Sequence, residues 1–116
     1  AVYLTKPVIL ENLSTAIDVR LTSNIRSTSS VEVYFRTTSS EEARNIDDLS
    51  WIPFNTTGTS DSTVTPSEDS ETFKEYKYST TGINEFTAFQ IKIVMKGTNS
   101  AYPPVIRDMR GIALAV

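Results

Sequence analysis

Residues 89–96 run Phe89, Gln90, Ile91, Lys92, Ile93, Val94, Met95, Lys96, and this stretch constrains the fold more than any other. Phe89, Ile91, Ile93 and Met95 fall on one side of an extended chain, and Gln90, Lys92 and Lys96 on the other, with Val94 the exception. A helix would scatter the same apolar groups around its axis and set two lysines among them. The β-branched Ile91 and Ile93 also favour a strand. A half-buried strand needs a sheet around it and a second layer to cover its apolar face.

Similar alternation occurs twice upstream. Ile17, Val19 and Leu21 alternate with Asp18, Arg20 and Thr22, and Val31, Val33 and Phe35 alternate with Glu32, Tyr34 and Arg36. The polar residues 23–30 separate these runs, a spacing that predicts an antiparallel pair. Residues 7–10 form an apolar run opened by Pro7, which suits an edge strand. Residues 73–78 and 105–116 supply further strands, and in the last of these Ile112, Leu114 and Val116 alternate with Ala113 and Ala115. That pattern predicts an inward face of large residues and an outer face of small ones, with Gly111 as a candidate bulge. Ser39 and Glu42 have capping-box spacing, so at most one short helix is expected there. Trp51 and Phe54 are expected in the core or at its rim, with Pro53 marking an edge or bulged segment. Seven or eight strands separated by turn signals predict an all-β, antiparallel two-sheet β-sandwich, with jelly-roll order one possible arrangement.

The chain has 116 residues, enough for a single domain on one core, either whole or excised from a longer chain. Serine and threonine are abundant and glycines number only 4, a composition suited to strands and polar turns. Cysteine and histidine are absent. Disulfides, thiolate metal sites, cysteine nucleophiles and the Ser-His-Asp arrangement are therefore excluded, and no catalytic residue, cofactor or metal is expected. The formal charge of −3 argues against a nucleic-acid partner. No apolar run has the length of about 20 residues that a membrane-spanning helix requires, so a soluble domain without membrane insertion is expected.

Charge is uneven along the chain: residues 1–72 carry 5 basic and 11 acidic groups, residues 73–116 carry 6 and 3. Residues 55–72 hold ten Ser or Thr and four acidic groups, with Val64 the one aliphatic residue, and predict a long exposed loop dispensable to the fold. Asp61, Glu68, Asp69 and Glu71 lack EF-hand spacing and read as a solvated acidic loop rather than a calcium site.

Four pieces in order carry a resemblance: Tyr34, Phe35 and Arg36; then Trp51, Ile52, Pro53 and Phe54; then Phe89 to Ile93; then Pro103 and Pro104 followed by Arg107, Asp108, Met109, Arg110 and Gly111. Together they resemble β-sandwich domains in tail and baseplate structural proteins of contractile-tailed, T4-like bacteriophages. The resemblance implies a non-catalytic virion assembly module whose partners are other virion proteins or further copies of itself.

Two surfaces follow as candidates. Arg107, Asp108 and Arg110 form either a fork for a partner's carboxylates or an internal ion pair, and with Ala113 and Ala115 they predict an interaction surface on the C-terminal edge. Trp51, Tyr76, Tyr78 and Tyr102 could form a platform for sugar rings, which makes a carbohydrate-binding module the alternative function.

Overall fold

The computed structural model describes residues 2–24, 29–39, 45–61, 73–97 and 105–114, with the backbone alone at 29, 97, 105–108, 112 and 114. Eight strands are present among them: β1 (Val2–Leu4), β2 (Val8–Ser14), β3 (Ala16–Asn24), β4 (Ser29–Thr38), β5 (Ile52–Pro53), β6 (Lys74–Thr80), β7 (Phe86–Gly97) and β8 (Val105–Leu114). They form two antiparallel sheets packed as a sandwich. In the larger sheet the order is β1-β7-β4-β5, with β2 also on β7; the smaller sheet has the order β6-β3-β8.

The half-buried strand of the sequence is β7, and it lies inside the larger sheet between β4 on one side and β1 and β2 on the other. Phe89, Ile91 and Ile93 are buried, and each faces a residue of β4 in register: Thr37, Phe35 and Val33. Ile17, Val19 and Leu21 supply the opposing layer from β3. Burying about ten such side chains, at roughly 1.5–3 kcal/mol each, provides most of the drive to fold.

β3 and β4 do not pair with each other. The 16–24 and 29–38 strands belong to different sheets, where an antiparallel pair was expected. Both strands carry one apolar face, and packing those faces together across the sandwich buries them as well as placing the strands side by side in one covered sheet would. β8 also differs in phase from its sequence reading. Its register sets Met109 against Leu21, Gly111 against Val19 and Ala113 against Ile17, all three partners being core residues. Met109 and Ala113 pack on the core, and a Cβ at Gly111 would lie 3.7 Å from the Phe89 ring. The large side chains of β3 and β7 already fill this end of the core, so small residues fit beneath β8.

Ser39 is not helical, and Glu41 and Glu42 of the expected capping box lie outside the described residues. Among the described residues there are two single-turn 3-10 segments, Ile46–Asp48 and Phe54–Thr56.

Candidate interaction surface

The two flanks of the sandwich are built differently. On one, the chain from Ile52 to Asp61 sews the sheets together. β5 pairs with β4 through Phe35 and Tyr34. Phe54 then enters the core, fully buried, with its ring centre 4.8 Å from that of Phe35 in the larger sheet and 6.0 Å from that of Tyr78 in the smaller one. A tight turn follows in which Asn55 (φ 51°), Thr56 (φ 66°) and Gly58 (φ 83°) all take left-handed backbone. Gly58 accepts a hydrogen bond at its carbonyl from Val33 N (2.9 Å) on β4, and Asp61 donates from its backbone N to the Lys77 carbonyl (2.8 Å) on β6.

Asp61 secures that turn. Its carboxylate accepts from Asn55 Nδ2 (2.9 Å), Ser79 N (3.1 Å) and Ser79 Oγ (2.6 Å). Burial pushes this carboxyl up, but the hydrogen bonds from Asn55 and Ser79 outweigh it and hold the group below its ordinary value. Residues 55–61, expected to belong to a dispensable loop, are thus tied to both sheets. Their polar side chains are used as hydrogen-bonding partners in place of an apolar anchor. Glu68, Asp69 and Glu71 lie outside the described residues.

A second anchor closes the outer face of the larger sheet. Arg36 is 7% exposed and donates to Gln90 Oε1 through Nε (2.9 Å) and Nη2 (2.6 Å), and to the carbonyls of Asp47 (3.3 Å) and Leu49 (3.2 Å). Its guanidinium lies 4.1 Å from the centre of the Trp51 ring, and Lys92 Nζ lies 5.1 Å from that ring and 4.7 Å from Tyr34. Beside them, Lys96 Nζ meets Glu32 Oε1 at 2.9 Å. Three of the four pieces behind the family resemblance converge here: Arg36 from the first, Trp51 from the second, Gln90 and Lys92 from the third.

The opposite flank is open. The larger sheet ends in β1 and β2, set end to end along β7, while the smaller sheet ends in β8. Sheet widths differ; Leu10 and Ser14 of β2 still reach the core, but β1 and the start of β2 are left uncovered among the described residues. The consequence shows in exposure. Tyr3 shares a register position with Ile93, yet Tyr3 is 53% exposed where Ile93 is 1%; Val8 stands opposite Phe89 and is 41% exposed against 2%. On the other side of the same strands Val2, Leu4 and Ile9 are exposed as well, and Leu13 adds to the strip. Among the described residues, six of the seven exposed large hydrophobic residues belong to β1 and β2, the seventh being Ile52, so the exposure there is local rather than a scatter of single residues. Thr5 holds the joint between the two strands: it donates from N to the Ile91 carbonyl (3.0 Å), and its Oγ1 accepts from Ile91 N (3.0 Å).

The residues singled out from sequence separate. Arg110, on β8 at the open flank, is exposed and sits 3.8 Å from Glu75, which also pairs with Arg20 at 3.3 Å. Ala113, expected on the outer face, packs on the core instead. Arg107 and Asp108 are described by backbone alone, and Ala115 lies outside the described residues, so their part of the expected surface does too. The sugar platform does not assemble from its described members. Tyr76 and Tyr78 face Leu21 and Val19 across β3 and are buried, and burial pushes both phenols up. Trp51 lies on the outer face of the other sheet with its ring against cations, and Tyr102 lies outside the described residues. Sequence reasoning missed Tyr3, and it read Val8 only as part of an edge strand, which β2 is. Their signal was an apolar run at 2–4 and 8–10 that does not alternate, which a strand covered on one face would have done.

Fold and surface define a β-sandwich with one flank sealed by the 52–61 segment and, among the described residues, exposed apolar side chains on β1 and β2 at the other. No protein-family model, no curated protein and no solved structure matches the chain.

Proposed function

We propose that the chain is a non-catalytic assembly module of a bacteriophage virion, in the tail or baseplate, and that it joins other virion proteins or further copies of itself through its open flank. The observation that carries this reading is the strip of exposed apolar residues on β1 and β2, beside a β8 edge with no further strand on it among the described residues. Such a strip is characteristic of surfaces that are covered in a complex. The virion setting rests on the resemblance of the motifs around Arg36, Trp51, Phe89 and Arg107. Lack of histidine and cysteine supports a role in binding rather than chemistry.

Mass spectrometry of particles purified from cells producing this chain tests the setting. The chain should appear at a fixed copy number relative to the other tail proteins and persist through density-gradient purification. Its absence from purified particles would overturn the proposal.

A further inference from the structure

The exposed apolar strip does not end at β1 but continues across the outer face of the larger sheet. Leu4 of β1, Lys92 of β7 and Tyr34 of β4 stand in one register row, and Val2, Val94 and Glu32 in the next. These rows face away from the core, since Ile91 and Ile93 on either side of Lys92 are buried. A wetted sheet face normally carries polar residues. Here Val94 breaks the alternation of β7 at the place where Val2 and Leu4 stand exposed beside it, and the half-buried rings of Tyr34 and Trp51 extend the patch on the far side of Lys92.

The polar groups of this face are spent on one another, with one exception. Glu32 takes the Lys96 ammonium and the Tyr34 hydroxyl (3.0 Å). Arg36 is held by Gln90, Asp47 and the Leu49 carbonyl, and Gln90 Nε2 donates to the Thr5 carbonyl (2.8 Å). Lys92 alone in these rows meets no carboxylate among the described residues; its ammonium has the Tyr34 and Trp51 rings as neighbours. Ring faces attract the charge but leave its three N–H donors to water. The patch is thus apolar and aromatic with a single unanswered cation at its centre.

We infer that this face docks a segment of a partner protein that carries apolar side chains around a carboxylate, the carboxylate meeting Lys92. Charge complementarity selects the acid, because every other charged group in the rows already has its counter-ion. The aliphatic groups select a protein. A sugar requires free donors and acceptors beside the ring it stacks on, and here those are engaged, whereas Val2, Leu4 and Val94 offer contact to apolar side chains. From β1 to β5 the larger sheet spans three strand spacings, about 14 Å, which an extended segment of roughly four to five residues covers.

The inference deepens the assembly reading by naming the chemistry of the partner, and it rests on that reading for the partner being a protein. Its test does not need the particle. Amide and indole N–H spectra of the 116-residue chain are followed while the peptide acetyl-Leu-Glu-Phe-Glu-Leu-amide is added, with its glutamine counterpart as the uncharged control. Saturable shifts should appear at Leu4, Val94 and the Trp51 indole, and the glutamate peptide should bind about tenfold more tightly than the glutamine one. Lys92→Met keeps an apolar stem and should bring the two peptides to the same affinity. Lys77→Met, which removes an exposed cation from the other sheet, should leave the preference intact. Leu4→Ser should weaken both peptides alike, and its exposed position lets the variant keep its circular dichroism spectrum.

No shift at millimolar peptide, equal affinity for the two peptides, or a preference untouched by Lys92→Met would overturn the inference. So would saturable binding of polygalacturonate at Trp51 without binding of the peptide, which would give the face to an acidic glycan. Shifts at Val94 and Trp51 that grow with protein concentration alone would give it to a second copy and overturn it as well. A chain absent from purified particles that still prefers the glutamate peptide would lose the virion setting and keep this face, and a chain present in particles but indifferent to the carboxylate would do the reverse.

Discussion

The guanidinium of Arg36 lies 4.1 Å above the centre of the Trp51 ring while its edge donates twice to Gln90 Oε1, so one buried cation fastens the 45–51 crossover to the sheet. Arg36→Met should cost about 2–4 kcal/mol in denaturant unfolding, because Gln90 Oε1 and the carbonyls of Asp47 and Leu49 lose their donors together. Arg36→Lys should recover little of this, since an ammonium cannot reach all three acceptors from one position. Near-normal stability of the lysine variant would show that the fork geometry is unimportant.

Ile91 and Lys92 are neighbours in sequence and lie on opposite sides of β7. Ile91 is 1% exposed, and an unpaired carboxylate there costs several kcal/mol against a total of about 5–15, so Ile91→Asp should unfold the domain. Lys92→Asp removes cation–ring contacts with Tyr34 and Trp51 and should cost about 1 kcal/mol. Equal shifts of the denaturation midpoint for the two variants would contradict the face assignment.

Gly58 and Gly82 both have positive φ, 83° and 67°, but only one is crowded. A Cβ at Gly58 would stand 3.0 Å from Glu32 Cβ and 3.3 Å from Val33 N, whereas nothing lies within 4 Å at Gly82. Gly82→Ala should therefore cost the backbone strain alone, about 1–2 kcal/mol. Gly58→Ala should cost more and should weaken the link from the turn to β4. Thermal melts of the two variants side by side decide the matter, and equal losses would mean that the 55–61 turn gives way without disturbing β4.

Asp61 predicts an acid-sensitive link between the sheets. Its folded-state pKa is lowered, so the unfolded chain binds the proton more readily. The stabilisation it provides is thus fully present above the ordinary value of 3.8 and is lost as pH falls through the lower folded value. Asp61→Asn should be less stable than the unchanged chain at neutral pH, and the two stability curves should converge below about pH 3. Curves that stay parallel into acid would show that the carboxylate charge contributes nothing.

The larger features of the fold were legible where one face of a strand is buried and the other wet. Ile17, Val19, Leu21, Val31, Val33, Phe35, Phe89, Ile91 and Ile93 alternate because water and core impose opposite demands at each step, and all nine are buried as read. Strand partners were not legible, because Ile17 and Val33 present the same pattern whether they lie in one sheet or face each other across two. The phase of β8 was misread because volume rather than hydropathy decided it: Gly111 sits beneath β8 where Phe89 already fills the space. Tyr76 and Tyr78 looked available to a ligand as aromatic rings, whereas Leu21 and Val19 opposite them belong to the core. The turn at 55–61 was hidden because Asn55, Ser79 and Asp61 order it by hydrogen bonds, which leave no trace in an apolar pattern. Tyr3 went unremarked because an uncovered strand has no reason to alternate, whereas Val8 belongs to the run read as an edge strand, where β2 lies.

Strand order also sets a schedule for folding. β1 and β2 find their partner in β7, and β3 finds its partners in β6 and β8, so among the described residues the first three strands have no native neighbour until the last third of the chain exists. During synthesis the N-terminal half emerges with none of its strands paired, except for the short β4–β5 pair. Loops of about 50 to 90 residues must close before the sheets can form, the kind of topology that folds in milliseconds to seconds rather than microseconds. Throughout that interval the ribosome or a chaperone, rather than the fold, is what keeps Ile17, Val19 and Leu21 from foreign company.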